Sequence, residues 1–182
     1  MTQIAAMEDP WKHKIGIIVP SWNTVMEYET QRMAGSTGSV HSARLEHTAD
    51  TEEKLISLSV RAPEAARLLS HAKVNVIGYG CTASGFLHTP AEDAALAARI
   101  AQETGIPCAT SSRSIVEGLR ALGAGKLSLA SPYAPWLNER LRGYLTADGF
   151  EVLAMQGLST EAHATITRER ILKLVDEVMR AD

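Results

Sequence analysis

Short apolar runs rich in Ile and Val alternate along the chain with longer stretches of helical spacing. Runs bounded by turn residues are typical of strands buried on both faces of a sheet. The runs that we predict to be strands are 14–20, 40–45, 74–78, 107–110, 126–130 and 151–155. The stretches that we predict to be helices are 23–34, 51–72, 90–104, 111–122, 135–147 and 168–180. This alternation predicts an α/β fold with right-handed crossovers and mainly parallel sheets.

Pro63 interrupts the longest helical stretch, 51–72, whose apolar residues otherwise keep a helical spacing. Proline lacks the backbone N–H that a helix interior needs. The sequence therefore predicts a kink or two separate helices here. The last predicted helix closes the chain without a following strand, so we expect the α/β pattern to be incomplete in this chain.

Composition excludes several classes of protein. The chain has 182 residues, 45% of them apolar and 21% charged, which fits one globular domain or two small lobes and not a disordered chain. It has no apolar run long enough to cross a bilayer, and residues 1–11 lack the basic-then-apolar pattern of a signal peptide. A net charge of −3 argues against nucleic acid as a partner. The two cysteines predict free thiols in a reducing compartment, and so a cytoplasmic protein.

Hydroxyl and amide side chains follow four of the predicted strands, in the segments 20–24, 80–85, 110–112 and 131–133. Ligands of open parallel sheets bind beyond the carboxyl ends of the strands. Each segment precedes a helix or the loop before one, where free backbone N–H groups favour an anion. Since the phosphate-binding glycine motifs are absent, this lining predicts a small carboxylate as ligand and no nucleotide cofactor.

Cys81 is the sharpest candidate for chemistry, because it ends a predicted strand between Gly80 and Thr82. Backbone N–H groups around a thiol stabilise the thiolate and lower its pKa, which would make Cys81 a nucleophile. The alternative is a small buried apolar residue at the tip of a strand. Cys108 falls inside a predicted strand, where core packing is the favoured interpretation.

Several polar residues have both a binding and a structural interpretation. Asn23 could hydrogen-bond a substrate carboxylate or cap the helix that begins near it, and the two roles can coexist. Tyr133 could present its phenol to the site or bury its ring. Thr110 and Ser111 are candidate substrate contacts and also candidate helix caps.

The six histidines are scattered and show no zinc-site spacing, so no metal is predicted. Most of them are expected to be surface residues or to have their hydrogen bonds satisfied. His163 follows the last predicted strand and is a weaker site candidate. Arg44 ends the second strand and could form a structural ion pair or line the site.

Several motifs occur in an order that resembles a known family. PSWNTVME at 20–27, GCTASG at 80–85, VEGLRALG at 116–123 and SPY at 131–133 are similar to segments of maleate cis-trans isomerases and arylmalonate decarboxylases. These enzymes belong to the aspartate/glutamate racemase superfamily. The resemblance extends over nearly the whole chain, and the order of the motifs is more specific than any one of them.

The resemblance implies two flavodoxin-like, pseudo-symmetric lobes with helices on both faces of parallel sheets, and an active site between the lobes. In this chain the lobes would be 1–110 and an incomplete 111–182. Cys81 matches the first of two family cysteines, a nucleophile in the isomerases and a base in the racemases. Asn23 and Tyr133 match residues that hold carboxylates. The match also places Thr82 and Ser84 in a carboxylate-binding loop.

Two departures from the family pattern affect the expected chemistry. The second family cysteine lies beyond the helix that closes this chain, and Cys108 does not match it. The segment 158–166 often carries a substrate-binding Asn in the family, and His163 is the nearest match here. Because the decarboxylases lack the first cysteine, Cys81 favours the isomerase or racemase branch.

We therefore expect a cofactor-independent isomerase that acts on a small carboxylic or dicarboxylic acid through a Cys81 thiolate. The alternatives are an arylmalonate decarboxylase-like lyase and a module that binds a small acid without turning it over. An open sheet edge at the end of the chain also predicts a homo-oligomer, a dimer or larger.

Overall fold

The computed structural model describes residues 12–180, which form six strands and seven α-helices. The segment 1–11, predicted not to be a signal peptide, lies outside the described residues. The strands are β1 His13–Pro20, β2 Gly38–Leu45, β3 Val76–Tyr79, β4 Cys108–Thr110, β5 Lys126–Ser131 and β6 Glu151–Gly157. All six begin and end within two residues of the predicted runs.

The α-helices occupy the connections between the strands. They are α1 Met26–Ala34, α2 Glu52–His71, α3 Thr82–Gly85, α4 Pro90–Thr104, α5 Ser111–Ala121, α6 Pro135–Ala147 and α7 Arg168–Met179. Two short 3₁₀ turns, Gly35–Thr37 and His163–Thr165, and the four-residue helix α3 were not predicted. Such short elements carry too few residues to show a period in the sequence.

The strands form two separate parallel sheets. The first sheet has the order β2-β1-β3-β4, and the second pairs β5 with β6. The predicted α/β fold with parallel sheets is therefore confirmed. The first sheet ends at β4 and the second begins at β5, so residues 111–125 connect them. The division into lobes 1–110 and 111–182 stays a prediction.

Helix α2 runs without interruption through Pro63, so the two-helix interpretation is wrong. A proline in a helix interior costs about 3 kcal/mol. One face of α2 is buried against the first sheet, and this burial outweighs that cost because each large aliphatic side chain contributes about 1.5–3 kcal/mol. The buried apolar residues of α2 include Leu55, Leu58, Ala62, Ala66 and Leu69.

The buried apolar residues form two cores, one against each sheet, and the two cores share a neighbour. The larger core contains Ile18, Ile77 and Tyr79, and the smaller one contains Phe86 and Tyr144. Tyr133 packs against both. The loop after β5 therefore lies at the junction of the two cores, close to the carboxyl ends of β1 and β3.

No helix within residues 12–180 combines the length and the apolar character that crossing a bilayer requires.

Candidate active site

Loops at the carboxyl ends of the strands enclose a cavity of about 130 Å³. It is lined by five of the predicted site residues, which come from four separate loops: Asn23, Cys81, Thr82, Tyr133 and His163. Parallel strands place their following loops at one edge of the sheet, which is why residues so far apart in sequence converge.

Cys81 lines this cavity, follows β3 after Gly80 and is the residue that precedes the first turn of α3. The backbone N–H groups of Ser84 and Ala83 donate to its sulfur, as the sequence predicted. The thiol is nevertheless buried, with a relative exposure of 6%. Burial raises its pKa to about 12; the N–H donors oppose this rise, and the nearby Asp50 adds to it.

The prediction of a lowered thiol pKa is therefore wrong. Two N–H groups offset only part of the cost of removing a thiolate from water. At neutral pH Cys81 carries its proton, and it needs an acceptor for that proton before it can act as a nucleophile.

Asn23 follows β1 in the turn Pro20–Asn23, closed by its own N–H donating to the Pro20 carbonyl at 2.9 Å. Its side-chain oxygen accepts from the N–H groups of Val25 and Met26, at 3.0 and 2.9 Å, at the start of α1. The capping role is thus present. Because the oxygen is engaged, the amide NH₂ is the part of Asn23 that can donate to a carboxylate.

Arg44 hydrogen-bonds the turn after β1 and does not line the cavity. Its guanidinium donates to the carbonyls of Ser21 and Asn23, each at 2.9 Å, and pairs with Glu27. Of the two interpretations left open, the structural ion pair is the one observed.

Thr82 and Tyr133 add hydroxyl groups to the cavity. The Thr82 hydroxyl donates to Ser111 Oγ at 3.1 Å, and the Tyr133 ring packs edge-on against Phe86 and His163. Burial raises the pKa of the Tyr133 phenol, and negative charge on Cys81 and Asp50 raises it further. The phenol therefore keeps its proton at neutral pH and can act as a hydrogen-bond donor.

Ser84, Thr110 and Ser111 do not line the cavity. Ser84 is fully buried and donates to the Leu55 carbonyl, while Thr110 is 1% exposed and donates to Asp93 Oδ2 at 2.8 Å. Thr110 also caps α5 by accepting from the Arg113 N–H. These side chains hold the site loops in place, and the prediction that they bind substrate has no support in this geometry.

Cys108 opens β4 and packs against the larger core, as expected for a structural cysteine. Burial raises its pKa to about 11, and Asp93 adds to the rise.

Sequence reasoning missed His47 and Asp50, which also line the cavity. His47 is an exception to the expectation for most of the histidines, because it is only 2% exposed and one of its ring nitrogens is not hydrogen-bonded among the described residues. Its Nε2 lies 2.9 Å from Asp50 Oδ1, and its Nδ1 is buried without a hydrogen-bond partner among the described residues. Both residues follow β2, whose carboxyl end could have been searched for polar residues in the same way as those of the other strands.

The indole of Trp22 packs edge-on against two imidazoles of the cavity. Its ring centroid is 4.5 Å from that of His47 and 6.4 Å from that of His163. Among residues 12–180, no group of three or more His, Cys, Asp or Glu side chains is arranged to hold a metal ion.

The model of the arylmalonate decarboxylase family matches residues 15–182. The chain belongs to the arylmalonate decarboxylase family. The resemblance predicted from the motifs is thereby confirmed. The family's relatives by sequence include the maleate isomerase of Geobacillus stearothermophilus, 32% identical over 94% of this chain and 74% of that enzyme.

Solved structures of the family have the same architecture as this chain. A double mutant of arylmalonate decarboxylase in its liganded form superimposes with a TM-score of 0.85 at 26% identity, over 93% of this chain and 73% of that one. A Nocardia farcinica maleate cis-trans isomerase variant with a covalently bound succinylcysteine intermediate gives 0.83 at 26% identity, over 91% and 72%.

Proposed function

We propose that this member of the arylmalonate decarboxylase family is a cofactor-independent cis–trans isomerase of a small unsaturated dicarboxylate such as maleate. One observation carries the proposal. The sulfur of Cys81 receives two backbone N–H groups in a small cavity, where Asn23, Thr82 and Tyr133 offer further donors. A succinylcysteine in a structural relative is the adduct that such a thiol would form with maleate.

The reaction begins when Cys81 loses its proton and its sulfur adds to one carbon of the double bond. A C–S bond forms, and the π electrons move to the neighbouring carbon, where they are shared with its carboxylate. The former double bond is now single and can rotate. The electrons then return, the C–S bond breaks, and the trans isomer leaves with the thiolate restored.

The donors around the sulfur stabilise the charge of the adduct. The Asn23 amide and the Tyr133 phenol can donate to carboxylate oxygens, whose negative charge increases as the C–S bond forms. The Thr82 hydroxyl can do the same when it turns away from Ser111, to which it donates here. A donor aimed at developing charge contributes about 3–4 kcal/mol in comparable oxyanion sites. These assignments to Asn23, Thr82 and Tyr133 are part of the proposal.

Proton NMR of maleate incubated with the protein tests this function. We expect fumarate to form with the wild type and with Cys108→Ala, which removes a thiol outside the cavity. Cys81→Ala should reduce turnover to background while the circular dichroism spectrum stays unchanged. Turnover of maleate by Cys81→Ala at the wild-type rate would contradict the proposal.

A decarboxylase-like activity is the second candidate, because arylmalonate decarboxylase is among the closely superimposing structures. Release of CO₂ from an arylmalonate without conversion of maleate would favour it. Saturable binding of these acids without any product would favour a binding module. The homo-oligomer and the cytoplasmic location predicted from the sequence stay predictions, and sedimentation velocity tests the first of them.

A further inference from the structure

A second set of titratable side chains lies beside Cys81, formed by His47, Asp50 and His163. The Asp50 carboxylate lies between the two imidazoles. Its Oδ1 is 2.9 Å from His47 Nε2, and its Oδ2 is 3.7 Å from His163 Nε2. We call these three residues the imidazole–carboxylate cluster.

The hydrogen bond to Asp50 fixes the tautomer of His47. A carboxylate only accepts, so His47 Nε2 carries the hydrogen and Nδ1 of the neutral ring carries a lone pair. This Nδ1 is buried without a partner among the described residues, and the whole side chain is 1% exposed. An imidazole oriented by a carboxylate on one nitrogen presents the other nitrogen as a base.

His163 offers a second nitrogen in the same place. Its Nε2 is likewise buried without a hydrogen-bond partner among the described residues, although its side chain is 34% exposed. Both imidazoles line the cavity together with Cys81. The site therefore contains two basic nitrogens that the proposed reaction has not yet used.

The charges around the cluster explain why such a base is needed. The described lining of the cavity contains the Asp50 carboxylate and no Lys or Arg, and Asp50 opposes ionisation of both Cys81 and Tyr133. Glu161 also lies beside the cluster, where its Oε1 accepts from the Asp50 N–H at 3.2 Å. A thiolate and a dianionic substrate would add negative charge to this site, and only the imidazoles can supply a compensating positive charge within it.

We propose that the imidazole–carboxylate cluster accepts the proton of Cys81 as the sulfur adds to the substrate. This step rests on the function proposed above. The proton moves from Sγ to an imidazole nitrogen while the C–S bond forms, so the thiol proton is conserved as an imidazolium beside the adduct, which carries three negative charges. When the C–S bond breaks and the product leaves, the proton returns to sulfur. Asp50 acts as a positioning residue that holds the two rings and balances the imidazolium.

The pH dependence of kcat/KM for maleate isomerisation tests this assignment. We expect the wild type to lose activity toward acid pH, because only a neutral ring can take the proton. His47→Gln with His163→Gln should remove this acid limb and lower kcat/KM by about 10²–10⁴-fold, the usual contribution of a general base. The single variants identify which ring contributes more.

His41→Gln is the matched control, since His41 bonds Ser39 at 2.9 Å and lines a different groove. It should keep both the rate and the acid limb. A uniform loss of rate in the double variant with the acid limb retained would assign the two rings a structural role and overturn the proposal.

Alkylation of Cys81 by iodoacetamide gives a readout that needs no dicarboxylate. Peptide mass analysis in a Cys108→Ser background should show alkylation at pH 8 at least tenfold slower in the double variant. Equal alkylation rates would overturn the proposal even if maleate is turned over. A slowed alkylation in a protein that does not convert maleate would support the proton acceptor and contradict the substrate.

Discussion

At the scale of single residues, the reactivity of Cys81 is set by two opposing effects. Backbone N–H groups of the following turn favour the thiolate, and burial favours the thiol. Burial has the larger effect. A nucleophile held as a thiol avoids oxidation and unwanted alkylation, because both reactions require the thiolate.

This balance predicts a pH dependence of stability. The folded-state pKa of about 12 lies above that of a thiol in an unfolded chain, about 8.5. The protonated thiol therefore contributes stability that is fully present below pH 8.5 and is lost as the pH rises toward 12. Over this interval the contribution falls by about 1.4 kcal/mol per pH unit.

Urea unfolding of the wild type and of Cys81→Ala between pH 8 and 10.5 measures this contribution of Cys81 to the free energy of unfolding. We expect the free energy of unfolding of the wild type to fall more steeply than that of the variant, while Cys108 titrates equally in both. Parallel curves would show that burial does not raise the pKa of Cys81.

The sequence predicted the cysteine and the residues that meet it, since loops after parallel strands converge. Asn23, Thr82, Tyr133 and His163 were found in this way. The sign of the Cys81 pKa shift could not be predicted, because it depends on how much water reaches the sulfur. His47 was missed for a related reason: its burial under Trp22 is a tertiary contact that no spacing in the sequence shows.

At the scale of elements, the end of β6 fixes the loop that carries Tyr133. Gly157 ends β6 beside this loop, and a Cβ at this position would lie 2.2 Å from the Tyr133 carbonyl oxygen and 2.4 Å from Asn138 Nδ2. Asn138 in turn donates to the Tyr133 carbonyl and accepts from Ser131. Only a glycine lets these groups approach so closely.

Gly157→Ala should therefore displace the Tyr133 loop, lower the free energy of unfolding by about 1–3 kcal/mol and reduce turnover. Gly143→Ala is its control, because Gly143 lies inside α6 and a Cβ there meets no atom within 4 Å. The control should be more stable than wild type by about 0.5–1 kcal/mol, since alanine favours a helix. Thermal unfolding and a turnover assay measure the stability and the activity of both variants. A stable, fully active Gly157→Ala would show that the close approach of Gly157 to Tyr133 does not position the loop.

The regular elements were predictable because their apolar period is long enough to show. Strands β1 and β5 and helices α4 and α6 begin where the pattern placed them, or within one residue. Helix α2 continues through Pro63, although the sequence predicted a kink or a break there. Many buried residues on one face of α2 stabilise the helix, and together they outweigh the cost of one proline. Helix α3, which begins directly after Cys81, was too short to predict.

At the scale of the whole molecule, a buried carboxylate links helix α4, which precedes the last strand of the first sheet, to helix α6, which connects the two strands of the second. Asp93 is fully buried, and its Oδ2 accepts from the hydroxyls of Thr110 and Tyr144, each at 2.8 Å. A buried carboxylate is costly unless it is hydrogen-bonded. Both hydroxyls therefore stabilise the contact between α4 and α6.

Tyr144→Phe should lower the free energy of unfolding by about 1–3 kcal/mol, because it removes one of two donors to a buried carboxylate. Tyr28→Phe is the matched control, since the Tyr28 ring is 65% exposed and its hydroxyl has no such role; it should change stability by less than about 0.5 kcal/mol. Urea unfolding compares them, and equal stabilities would show that Asp93 does not depend on Tyr144.

We propose that the sulfur of Cys81 forms a bond to the substrate in the cavity that Cys81 shares with Tyr133 and His163. Mass spectrometry of the protein quenched in acid during turnover of maleate measures this directly. We expect a fraction of the protein to gain the mass of one maleate, with the addition mapped by peptide sequencing to Cys81 and absent from Cys81→Ala. Active protein with no adduct, or with an adduct on Cys108 alone, would show that Cys81 is not the nucleophile.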